Sequence, residues 1–121
     1  MNVRNIMRKD LLKVGVNASV KSAMDVMVEH DVGSVIIDEG AEFGIHTRKD
    51  IVNKVIAYGK DPAKVKVTEV FTFPVLTVSP EMSIKEAARL MSKANVKRFP
   101  VVEKGVLVGI LSNSDILKAY A

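Results

Sequence analysis

Gly44-Ile45-His46-Thr47-Arg48-Lys49-Asp50 has a counterpart further along the chain in Gly109-Ile110-Leu111-Ser112-Asn113-Ser114-Asp115. Both stretches read Gly, apolar, any residue, Ser/Thr, two free positions, Asp. Working outward from them, sliding the sequence against itself by 64 residues pairs Val3 with Val67, Leu12 with Leu76, Val14 with Val78, Ser19 with Ser83, Lys21 with Lys85, Ala23 with Ala87, Met27 with Met91 and Val32 with Val96. At an offset of 65, Gly44 meets Gly109, Ile45 meets Ile110, Asp50 meets Asp115 and Ile51 meets Ile116. Identities in one order with a single one-residue shift mark an internal duplication. The boundary falls near Pro62 to Lys66, giving repeats over 1–62 and 63–121.

Each repeat carries the same string of local signals. Ser19 precedes Val20, Ala23, Met24, Met27 and Val28 at helical spacing. Its partner Ser83-Ile84-Lys85-Glu86 is a capping box, with Ile84, Ala87, Ala88, Leu90 and Met91 forming the apolar stripe. The stretches 32–37 and 99–102, and 42–45 and 106–111, are short and rich in β-formers, with turns at Gly40 and at Lys104-Gly105. A second helix is expected from Thr47 to Tyr58, stopped by Gly59 and Pro62, and its counterpart from Ser112 onward. The leads 11–16 and 75–78 read as extended. The fold class is α/β (α+β), two β-α-β-β-α repeats. A unit of about sixty residues is marginal alone, burying only ~60% of its unfolded surface. The two are therefore expected to pack sheet to sheet over a shared core, leaving two pseudo-equivalent clefts.

Composition narrows the function. The 121 residues hold 18 Lys+Arg and 14 Asp+Glu for a net charge of +4, with 48% apolar and 5% aromatic residues. That balance is globular, and the core is aliphatic. With no cysteine in the chain, disulfides, thiolate metal sites and Cys nucleophiles are excluded. No apolar stretch approaches the ~20 residues of a membrane span. The polar, basic start has no export signature, so the expected setting is cytoplasmic. The basic residues are scattered and lack aromatic platforms, which disfavours nucleic acid as a partner. His30 and His46 have no recognisable catalytic companions, and His30 suits a helix end. No catalytic residue, metal or catalytic cofactor is expected, and the chain reads as a non-enzyme.

The repeated Gly-to-Asp segment leaves a strand and opens a helix, and two readings use the same atoms. In one, Thr47 and Ser112 are N-caps, with Asp50 and Asp115 completing capping boxes. In the other, the free N–H groups of the helix start receive a phosphate beside the hydroxyl, and the Asp accepts hydrogen bonds from a ribose diol.

The chain resembles a tandem pair of CBS domains, the regulatory modules named after cystathionine β-synthase. The resemblance rests on Val78-Ser79-Pro80 through Ala87-Ala88, on Val96-Lys97-Arg98-Phe99-Pro100-Val101-Val102, and on Gly109-Ile110 to Asp115. It implies clefts for adenosine compounds such as AMP, ADP, ATP or S-adenosylmethionine, a homodimer, and an unidentified target protein to which occupancy is passed. It further implies that Asp50 and Asp115 hold ribose hydroxyls and that Thr47 and Ser112 lie by the sugar or phosphate. Lys97 and Arg98 would reach ligand phosphates, and Arg48 would compensate in the first repeat. Lys13 and Thr77 would border adenine or phosphate, and Pro100 belongs to the same motif. The first repeat departs from the pattern: 32–37 lacks the proline and reads as one residue short before Asp38. The alternative is a structural protein-interaction module with vestigial clefts, in which both Asp residues only start helices.

Overall fold

The computed structural model describes residues 1–39, 42–71 and 76–121; the expected turn at Gly40 and the start of the second lead at Val75 lie outside them. The protein is a mixed α/β fold. The chain divides into two compact units, a central one spanning Leu12–Phe73 and a terminal one made of Met1–Leu11 with Pro74–Ala121.

In the central unit β1 (Lys13–Gly15) lies parallel to β2 (Ser34–Glu39), which pairs antiparallel with β3 (Glu42–Thr47), in the order β1-β2-β3. Helix α2 (Val20–His30) connects the first two strands, and α3 (Arg48–Lys54) follows β3. Ser19 caps α2 by accepting from the Ser22 N–H at 3.1 Å. Asp31 ends it in the left-handed conformation. Helix α3 is shorter than its sequence suggests, giving way at Val55 to a 3-10 turn over Ile56–Tyr58 that Gly59 stops at φ 67°. A positive φ suits glycine, which lacks the Cβ that would clash there.

The terminal unit repeats this plan. Its helix α4 (Ile84–Ala94) is capped by Ser83 and stopped by left-handed Asn95, matching Ser19 and Asp31 in the other repeat. β4 (Arg98–Glu103) pairs antiparallel with β5 (Val106–Ser112), and α5 (Asn113–Tyr120) follows. The second lead is reduced to a single parallel bridge, Val78 to Val101. The extra residue of this repeat is a bulge in β5: Val101 pairs with Gly109 but Val102 with Leu107, passing over Val108. The first repeat is thus not short before Asp38. The insertion sits in the opposite strand of the second, where a bulge absorbs an unpaired residue with little disruption of the ladder.

Periodicity does not announce the leader segments. Residues 3–6 form a one-turn helix, α1 (Val3–Ile6), and the equivalent stretch in the second repeat is a 3-10 turn over Val67–Glu69. Each leader packs in the unit built mainly from the other repeat. The Val67 N–H donates to the Ala18 carbonyl at 3.0 Å and the Val20 N–H to Val65 at 2.8 Å. In the terminal unit the Val3 N–H donates to Met82 at 2.8 Å and the Ile84 N–H to Met1 at 3.4 Å, the same pairs displaced by one repeat.

The cores follow suit. Val67 and Val70 join Val20, Ala23, Met27, Val35, Ile37 and Ile51 in the central core. Val3 and Met7 join Ala87, Met91, Phe99, Val101 and Leu111 in the terminal one. Two glycines register the fit. A Cβ on Gly44 would overlap the Phe71 ring, and one on Gly109 would fall 2.7 Å from Met7 Sδ and 2.9 Å from the Arg8 carbonyl oxygen. Arg4 of α1 adds ion pairs to Glu81, at 2.8 Å, and to Glu103.

Candidate functional site

The repeated Gly-to-Asp segments leave β3 and β5 and open α3 and α5, so each unit has one strand-to-helix corner. Both corners are reciprocal capping boxes. In the central unit the Asp50 N–H donates to Thr47 Oγ1 at 3.2 Å, while Asp50 Oδ2 accepts from the Thr47 N–H and from its hydroxyl, each at 3.1 Å. In the terminal unit the Asp115 N–H donates to Ser112 Oγ at 3.2 Å and Asp115 Oδ2 accepts from the Ser112 N–H at 2.9 Å. The carboxylates stabilise the helix starts by pairing orphan N–H groups and by facing the positive end of the dipole.

The surroundings differ. Asp50 is buried, and Lys54 one turn on reaches its other oxygen, Nζ to Oδ1 3.1 Å. The Asp50–Lys54 spacing is the ordinary i,i+4 signal for a helical ion pair, so this partner was legible and was not among the expected site residues. Asp115 is half-buried. Among the described residues it has no ion pair, and its carboxylate accepts only from the Ser112 N–H and not from the Ser112 hydroxyl.

Strand pairing gathers the basic residues. Arg98 opens β4 opposite Ser112, and the Asn113 N–H donates to the Lys97 carbonyl at 2.8 Å. Lys97, Arg98, Ser112 and Asp115 therefore meet at the terminal corner. Pro100 lies buried further along β4 opposite Ile110, and Thr77 is exposed just before the Val78 bridge. In the central unit Gly33 and Ser34 occupy the places of Lys97 and Arg98, with Ser34 opposite Thr47 and the Arg48 N–H on the Gly33 carbonyl at 3.2 Å. The Arg48 side chain is exposed and turns toward Asp31 at 3.9 Å. Lys13 opens β1 on the far side of β2, opposite Ile36.

His46 stands beside the central corner, where the terminal unit has Leu111. It is fully buried, and among the described residues neither ring nitrogen has a partner at hydrogen-bonding geometry. Burial holds its pKa below the usual 6.5. The Asp50 carboxylate and the Val70 backbone oppose that shift, and the Lys54 ammonium adds to it. Among the described residues no group of three or more His, Cys, Asp or Glu is placed to hold a metal ion, and no helix is long and apolar enough to cross a membrane.

Comparison with known proteins agrees with this duplicated architecture. Residues 3–57 and 67–121 each match the family model described as CBS domain. The chain is 33% identical to hypoxic response protein 1 of Mycobacterium tuberculosis, over 95% of this chain and 82% of that one. It is also 33% identical to an uncharacterized protein of Methanopyrus kandleri, over 98% of this chain but only 62% of its relative's length. Among solved structures, the CBS domain pair of protein MJ0100, in complex with 5′-methylthioadenosine and S-adenosyl-L-methionine, superposes with a TM-score of 0.86 at 28% identity, each chain covering 100% of the other. Two matched repeats, reproduced corner for corner, show that the chain belongs to the CBS-domain family as a tandem pair.

Proposed function

We propose that this CBS pair is a non-enzymatic regulatory module, cytoplasmic in setting, that binds an adenosine-containing ligand (AMP, ADP, ATP or S-adenosylmethionine). Binding is assigned to the strand-to-helix corners of the repeats 1–62 and 63–121. Occupancy is passed to a partner protein, and the module works as a homodimer. The exposed apolar side chains Val52 and Ile56 in the first repeat and Leu117 and Tyr120 on α5 suit a covered face.

The observation that carries the ligand reading is the terminal corner. It sets the Ser112 hydroxyl, the half-buried Asp115 carboxylate, and the strand start Lys97-Arg98 beside one helix N-terminus. A carboxylate acceptor suits a ribose diol, and cations beside the positive end of a helix dipole suit phosphate. Thr77 and Pro100 border this receptor. Thr47, Asp50, Arg48 and Lys13 form its weaker counterpart. The adenosyl compounds held by the pair from protein MJ0100 support the same ligand class. A specific observation favours the rival reading at the central corner alone: Asp50 is already engaged by Thr47 and Lys54, as a helix starter with a vestigial cleft would be.

Thermal melting with a panel of these four ligands tests the proposal. A ligand at a hundred times its Kd stabilises by ~2.7 kcal/mol, a rise of about 10 °C for a chain of this size. Asp115→Ala should remove that rise, with about 0.5–1 kcal/mol lost from the helix start. Asp50→Ala should leave most of it. If none of the four gives a shift, the interaction-module reading is favoured instead.

A further inference from the structure

The solvent faces of α2 and α4 occupy equivalent places in the two repeats and carry opposite charge. On α2 the face runs Lys21, Asp25, Glu29, and Lys21 Nζ pairs with Asp25 Oδ1 at 2.6 Å. On α4 the same three positions are Lys85, Arg89 and Lys93, all exposed. Among the described residues none of the three has an ion-pair partner.

Within the chain this arrangement is unfavourable. Like charges at i,i+4 repel along a helix. Lys85 also sits in the first turn, where the dipole disfavours a cation. The opposite face is wholly committed to the core through Ile84, Ala87 and Met91. Lys93, in the last turn, is favoured by the dipole, but among the described residues no carboxylate pairs with any of the three cations.

We infer that the Lys85-Arg89-Lys93 row of α4 is a docking surface for an acidic segment of a partner protein. The cations recur every ~6 Å along the axis, a spacing that carboxylates at every fourth position of a partner helix reproduce. The row is one residue wide, is flanked by exposed Glu86 and carries no aromatic side chain. A single row of carboxylates fits it better than a nucleic acid, whose binders present broad basic surfaces, with stacking platforms where the strand is single. The inference deepens the proposed function and rests on its premise that occupancy is passed to a partner protein. The two readings fail separately, because nucleotide melting reports on the corners and peptide binding reports on α4.

Fluorescence anisotropy with a labelled twenty-residue Ala-rich helical peptide bearing Glu at every fourth position provides the test. The peptide should bind at low salt and lose affinity as salt rises. Binding should weaken at least tenfold in the combined variant Lys85→Glu, Arg89→Glu, Lys93→Glu, and less in the corresponding Gln variant. A peptide with Lys replacing Glu should then bind the charge-reversed variant. Reversing exposed Lys60, Lys64 and Lys104 changes net charge equally and should leave affinity unchanged. Equal loss in both triple variants, equal binding of a scrambled peptide, or failure to bind at low salt would overturn the inference. So would tighter binding of a duplex DNA through α4, or self-association of the protein through the same row.

Discussion

The strand ends Ile45-His46-Thr47 and Ile110-Leu111-Ser112 follow the same course into equivalent helices, yet the first buries an imidazole where the second buries an isobutyl group. Around the imidazole, Asp50 is drawn in, hydrogen-bonded and paired with Lys54; around the leucine, Asp115 stays half-buried beside Lys97 and Arg98. The lesson is that duplication preserved backbone and capping, while the chemistry of the two corners diverged through neighbouring side chains. One corner is satisfied internally. The other leaves its carboxylate with no ion pair among the described residues.

The comparison can be broken most severely at the leaders. Removing residues 1–11 strips Val3 and Met7 from the terminal core, at about 1.5–3 kcal/mol for each apolar side chain lost. Calorimetry should then show the terminal unit melting early while the central unit, whose leader is intact, persists. A subtler break comes at the glycines. Gly109→Ala drives a methyl against the Arg8 backbone and should cost ~1–3 kcal/mol, as overpacking does. Gly44→Ala meets the Phe71 side chain rather than backbone, so its loss in denaturant melts should be smaller.

The smallest change sharpens the contrast. His46→Leu restores the residue of the other repeat and removes a buried imidazole whose nitrogens have no partner at hydrogen-bonding geometry among the described residues, so the protein should gain ~1–2 kcal/mol. The gain should grow with acidity. Because burial lowers the folded pKa of His46, the unfolded chain takes up a proton first as pH drops below ~6.5. Native stability then falls by at most ~1.4 kcal/mol per pH unit until the lowered folded pKa is passed. Urea midpoints between pH 7 and pH 5 should slope in the native protein and flatten in the variant.

Much of this was legible in the residue order. The duplication, the Ser19 and Ser83 caps, the paired helices and the Thr47/Asp50 and Ser112/Asp115 boxes are local patterns, and local hydrogen bonds realise them. The exchange of leaders was not legible. Val3, Ile6 and Met7 span too few residues to establish a period, and the backbone partners of Val3, Arg4 and Arg8 (Met82, Pro80 and Ile110) lie far along the chain. The offset change between Val32 and Gly44 bracketed the extra residue, but only strand register places it at Val108. At the site, proximity of Lys97 and Arg98 to Ser112 required the β4–β5 pairing. The depth at which His46 is buried required the leader carrying Val70.

Those crossed leaders have a consequence for how such a molecule can be taken apart. The stretch of gene that was doubled and the stretch of polypeptide that packs as a body are out of phase. Scissors placed at the ancestral seam would hand each fragment the other's roof, whereas a permuted chain opened after Leu11, its old ends joined, would keep each roof on its own house.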